Sequence, residues 1–96
     1  MDTIVYIRLD CNRFNGSKPV YLRAVSLPPL GGLHIDRYEP DPKKRPQLMI
    51  DSYWSRVSSD DQRRVNNILA MQAVGLLEDG VVTFVTQEEL PSPLPE

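Results

Sequence analysis

The chain's only histidine and a carboxylate stand two residues apart in Leu33-His34-Ile35-Asp36. In an extended segment they share one face, with Leu33 and Ile35 on the other, so an aspartate is placed to orient an imidazole for proton transfer. Nucleophilic catalysis needs a reactive group beside such a base, and no motif supplies one. Cys11, the only thiol, reads as a small hydrophobe at a strand end. The adjacent acids Asp60-Asp61 are explained by helix capping, and Glu88-Glu89 by solvation ahead of a C-terminal tail. The sequence contains no G-x-x-x-x-G-K-[ST], G-x-G-x-x-G or G-x-S-x-G. Zinc centres take three or four converging ligands, and one Cys with one His is too few. No acidic loop has EF-hand spacing. The expectation is therefore no enzyme, no cofactor and no metal, with His34 an ordinary strand residue near the surface.

The charged and aromatic groups point toward binding. Residues 1–48 carry eight basic and five acidic side chains, a net +3; residues 49–96 carry three and eight, a net −5. The densest basic run, Lys43-Lys44-Arg45, is held between Pro42 and Pro46. It reads as a solvated loop or as a basic finger for an acidic protein surface or a phosphate backbone. Arg63, Arg64, Asn66 and Asn67 are side chains able to contact base edges, which makes nucleic acid the rival partner. The order helix, turn, strand over 60–86 is superficially that of the last helix and wing of a winged-helix domain. That fold needs two earlier helices, for which the prolines leave space for only one short one, near Ser52–Val57. Tyr53-Trp54 is a hot-spot-type pair, but the only Trp of a small domain is read first as core.

These groups depend on elements legible from proline and periodicity. Of nine prolines, six fall from Pro19 to Pro46 and three at Pro91, Pro93 and Pro95, so any long helix lies between Gln47 and Leu90. Thr3–Leu9 is rich in β-branched and aromatic residues and apolar on both faces, as a central strand would be. It pairs with Val20–Ser26 across a longer loop containing Asn15-Gly16. Leu33–Tyr38 alternates weakly as a third strand. Gln47–Ile50 is either a short strand or the lead into a turn of helix at Ser52–Val57. Val81–Thr86 is the last strand.

Ser59-Asp60-Asp61-Gln62 fits a capping box, which starts a helix spanning about 60–77 and ending at Glu78-Asp79-Gly80. On its wheel Val65, Ile68, Leu69, Ala73 and Leu76 form the core side. The opposite side carries Asp60, Arg63, Arg64 and Asn67, then Ala70, Met71 and Val74. Its second half is thus apolar nearly all round. Met71 and Val74 need a cover: the chain's own Leu27–Leu33 connector or tail, a second copy, or a target protein, with Arg63, Arg64 and Asn67 as the polar rim.

At 96 residues, 41% apolar and net charge −2, the chain is expected to form one domain over 1–90 with a proline-rich tail at 91–96. The fold class is α+β, an antiparallel sheet of about four strands with one main helix (about 60–77) packed on one face. The lone thiol, a start without basic residues and the lack of a long apolar run give a cytoplasmic expectation, with no membrane. The function expected is a non-catalytic protein-binding module, a small regulator or inhibitor of a larger protein or nucleoprotein complex. The residues carrying it would be Arg63, Arg64, Asn67, Met71, Val74, Lys43, Lys44 and Arg45. A homodimer and a nucleic-acid-binding, winged-helix-like regulator are the alternatives.

Overall fold

Alternating β-branched and aromatic residues place Thr3–Leu9 (β1) and Val20–Leu27 (β2) in extended conformation, paired antiparallel with Ile7 opposite Leu22. The computed structural model describes residues 3–10, 18–27, 32–45 and 53–93. Within them Gly32–Tyr38 (β3), Trp54–Arg56 (β4) and Val82–Val85 (β5) complete one antiparallel sheet in the order β4-β3-β2-β1-β5. One α-helix, Ser59–Ala73 (α1), packs on it, so the fold is α+β. β1 lies between β2 and β5, the interior position that its apolar composition predicts. The Asn15-Gly16 turn, the centre of the Leu27–Leu33 connector and the Gln47–Ile50 segment lie outside the described residues.

The sheet has five strands where about four were expected. The extra one is Trp54–Arg56, within the Ser52–Val57 stretch where the sequence also allows a turn of helix. Its backbone completes the exposed ladder of β3, pairing Trp54 with Tyr38 and Arg56 with Asp36. Strand alternation thereby puts Trp54 and Arg56 on one face. A helical turn would have separated them.

The core lies between α1 and one sheet face. Ile7 and Leu9 of β1, Val20, Leu22 and Ala24 of β2, Ile35 of β3 and Val82 of β5 meet Val65, with Ile68, Leu69, Leu77 and Val81 packed around them. Each fully buried aliphatic side chain contributes about 2 kcal/mol relative to exposure. α1 begins beside the β3–β4 edge of the sheet, where Gln62 and Asn66 line one surface hollow with His34 and Arg56. It ends over β1, β2 and β5, where Leu69 and Ala73 lie near Val5, Ala24 and Phe84.

Both helix ends differ from the sequence expectation. The N-cap is Ser58, extended at φ −63° and ψ 162°, whose Oγ accepts from the Asp61 N–H at 3.2 Å. Two adjacent serines offer two cap registers, and the local motif does not distinguish them. The helix stops at Ala73, not near residue 77. Gly75 takes φ +76°, its N–H donates to the Gln72 carbonyl, and the Leu76 N–H donates to the Met71 carbonyl at 2.9 Å. This is the Schellman closure that a glycine in the left-handed region permits. Leu76, expected in the core, therefore falls outside the helix and is 71% exposed. Ala73, also expected inside, is exposed, while Leu77 packs against the core.

Ser58→Ala should lower stability by about 1 kcal/mol, and Ser59→Ala by no more than a few tenths. Urea unfolding of the two variants, read by circular dichroism, checks which serine caps the helix.

Candidate protein-binding surface

The sheet face turned away from α1 carries the polar chemistry. Alternation from β1 to β4 places Tyr6, Arg23, His34, Asp36, Tyr38, Trp54 and Arg56 there. Asp36 is 2% exposed and is held from both sides. Arg23 donates through Nε at 3.0 Å and Nη2 at 2.9 Å to Oδ2, and Arg56 Nε donates to Oδ1 at 2.8 Å. Arg56 Nη1 also lies 2.8 Å from His34 Nδ1. A guanidinium has no acceptor, so the imidazole nitrogen accepts. His34 and Asp36 do share a face, as their spacing predicts, but Arg56 stands between them. Both carboxylate oxygens are engaged by guanidinium groups, and the aspartate makes no bond that would orient the ring.

The aromatic residues form the floor of the same face. The Arg23 guanidinium stacks 4.5 Å over the Trp54 ring, which lies 5.0 Å from Tyr38 and 5.9 Å from Tyr6 between centroids. Trp54 is buried, as expected, although on the side of the sheet opposite the α1 core. Tyr38 also contacts Tyr53 at 5.9 Å, and Arg45 stacks 4.4 Å over Tyr53. The Tyr38 hydroxyl donates to the Pro91 carbonyl at 2.8 Å. The first proline of the C-terminal segment is thus tied to the sheet.

Of the basic run, Lys43 and Lys44 are exposed on a short 3-10 turn, Pro42–Lys44, capped by the Asp41 carboxylate on the Lys43 N–H. Arg45 is half-buried against Tyr53, so the exposed cations of the run are Lys43 and Lys44. Arg63, Arg64, Asn67 and Met71 of α1 and Val74 at its C-cap are all exposed along one stripe. Arg63 pairs with Asp60 at 3.5 Å and Arg64 with Asp61 at 3.6 Å. These exposed pairs cancel much of the charge that a phosphate would meet, at little gain in stability.

Two features were not singled out from the sequence. One is the Arg23–Asp36–Arg56 cluster, whose members are 33 positions apart at the extremes and meet only through sheet register. The other is an apolar groove of about 430 Å³ beneath one flank of α1, lined by Val5, Ile7, Ala24, Leu69, Ala73 and Phe84, with Gln72 at its side. Phe84 is 61% exposed beside it. Its register opposite Ile7 puts Phe84 on the α1 side, and its exposure follows from β5 being the last strand of the sheet. Among the described residues, no helix is long and apolar enough to cross a membrane. Compared with family models, curated proteins and solved structures, the chain matches none.

Removing the Asp36 carboxylate leaves two guanidinium groups facing one another across a buried gap. Asp36→Ala is expected to destabilise the fold by about 3 kcal/mol, a loss measurable by chemical denaturation. An effect below about 1 kcal/mol would show that the cluster is dispensable.

Burial raises the Tyr38 phenol above its ordinary pKa; Tyr53 adds to the rise and the Arg45 guanidinium opposes it. The folded state therefore holds this proton more tightly than the unfolded chain. That stabilising contribution is complete below about pH 10 and is lost as pH rises through the folded-state value. Stability should fall more steeply between about pH 9 and pH 11 in the wild type than in Tyr38→Phe. Denaturation midpoints followed across that range test this.

Proposed function

We propose that the chain is a non-catalytic protein-binding module, a small regulator or inhibitor that seats a partner on the second half of α1 and the adjoining end of the sheet. One observation carries this reading. Among the described residues, four of the five exposed large hydrophobic side chains fall between Met71 and Phe84: Met71 at 40%, Val74 at 69%, Leu76 at 71% and Phe84 at 61%. Scattered single apolar residues are normal on a surface, but several in one short stretch, beside an apolar groove, mark a contact site.

The surroundings fit ordinary interface anatomy. Met71 and Val74 continue the stripe of Arg63, Arg64 and Asn67, so a partner on the apolar part meets a polar rim along the helix. Because both arginines are paired with first-turn aspartates, the rim offers hydrogen bonds more than net charge. That balance favours a protein over a phosphate backbone.

The test uses the full chain as bait beside a Met71→Asp/Val74→Asp variant. Neither side chain is in the core, so the variant should stay folded, at a cost of about 1–2 kcal/mol from two acids at the C-terminal end of the helix dipole. A specific protein retained by the wild type and lost from the variant is the expected result. Equal retention by both would remove this surface from the reading. A steeply salt-dependent affinity for mixed DNA and RNA would favour the nucleic-acid alternative instead.

A further inference from the structure

β5 ends the sheet, and its outer backbone edge has no partner strand among the described residues. Proteins guard such edges with a charge, a proline or a bulge, because unpaired N–H and C=O groups template further strands. The opposite edge is guarded in this way: β4 has three residues and carries Arg56. Val81-Val82-Thr83-Phe84-Val85-Thr86 has neither charge nor proline, and five of its six residues are β-branched. The charges sit just off its ends. Glu78 and Asp79 precede the strand and Glu88 and Glu89 follow it, all exposed. Glu89 is used locally, accepting from the Thr86 N–H and hydroxyl at 3.1 Å. The side chains of Glu78, Asp79 and Glu88 have no ion-pair partner among the described residues.

We propose that the outer edge of β5 receives an extended segment of the partner protein, with an apolar, β-branched centre and Lys or Arg at both ends. This rests on the protein-binding reading above and narrows it to strand addition, in which main-chain hydrogen bonds supply affinity and alternate side chains supply specificity. Charge selects this occupant over a second copy. Two β5 strands paired antiparallel set the acids at the start of one beside the acids at the end of the other. Paired parallel, they set like ends together. Either way carboxylates oppose carboxylates, whereas a basic-flanked strand neutralises both ends. On the α1 side, alternate residues of the incoming strand lie beside exposed Phe84; on the other they lie beside Thr83 and Val85.

The experiment selects a random peptide display library against the full chain. Enriched peptides should alternate apolar residues between basic ends, and the bound consensus peptide should slow amide exchange at 82–85. A Glu78→Lys/Asp79→Lys/Glu88→Lys variant changes only exposed side chains. It should bind that peptide about tenfold more weakly and enrich acid-flanked peptides in its place. Enrichment without basic ends, protection confined to other residues, or unchanged affinity in the variant would overturn the proposal. So would a wild-type dimer in sedimentation that Phe84→Lys dissolves. A library that yields no binder, while a partner is still lost from the Met71→Asp/Val74→Asp bait, sinks strand addition and leaves the protein-binding reading standing.

Discussion

The chain leaves the sheet at β4, on one edge, and re-enters at β5, on the other, so a single segment must carry it across the intervening strands. At about 4.8 Å between strands the crossing is about 19 Å, and a helix of 15 residues is about 22 Å long. α1 has the reach to do this in one piece, and its inward residues Val65, Ile68 and Leu69 become the lid of the core. A helix is only about 10 Å wide, however, and the seven residues of β1 run for about 23 Å. A single helix cannot roof the whole face. Val5, Ala24 and Phe84 lie along its flank and form the apolar groove, while Met71 and Val74 look outward. The exposed apolar surface is a consequence of topology before it is a feature of any one residue.

The opposite face solves a different problem. Among the described residues no helix covers it, yet it holds a buried tryptophan and a buried aspartate. Desolvating a carboxylate costs several kcal/mol unless its lone pairs are met, and here two guanidinium groups meet them. The same Arg23 lays its planar head over Trp54, an arrangement worth about 1 kcal/mol, so one side chain both balances the charge and shields the ring. Tyr38 extends the stack, and its hydroxyl fastens Pro91. Polar groups thus do on this face what α1 does on the other. His34 belongs to that same structural network through Arg56, which gives its proximity to Asp36 a packing role.

Much of the architecture was legible because it depends on local pattern. β1, β2 and β5 follow from β-branched alternation, and α1 follows from a capping serine and an apolar stripe. The boundaries were less legible where two residues offer the same chemistry: Ser58 and Ser59 both cap well, and Gly75 and Gly80 both turn the chain, with φ +76° and +90°. Met71 and Val74 could be seen as surplus on the wheel, and they are exposed. Leu76 could not, because on a continuous wheel it extends the core stripe, and only the turn at Gly75 takes it out. Phe84 and the Arg23–Asp36–Arg56 cluster were beyond reach for a single reason. Both are set by which strand lies next to which, and strand order is not written in periodicity.

The split of charge between the two halves of the sequence also changes meaning once side chains are placed. Several basic side chains of residues 1–48 have local partners: Arg23 holds Asp36 and covers Trp54, Arg45 stacks on Tyr53, and Arg8 pairs with Asp10 at 3.1 Å on the surface. Among the described residues of that half, Lys18, Lys43 and Lys44 are exposed, the last two side by side. In the acidic half, Asp60 and Asp61 are met by arginines one helical turn on, which leaves the carboxylates around β5 without counter-charges among the described residues. Solvation alone accounts for isolated surface acids. It does not account for an uncharged, β-branched edge strand with acids at both ends. Carboxylates that lie on the strand would stop any edge from pairing, whereas carboxylates beyond its ends leave the backbone open and discriminate by the charge of what arrives. Under the strand-addition proposal, the placement of charge around β5 would act as a filter on partners, with the open backbone edge between the acids as the surface that receives them.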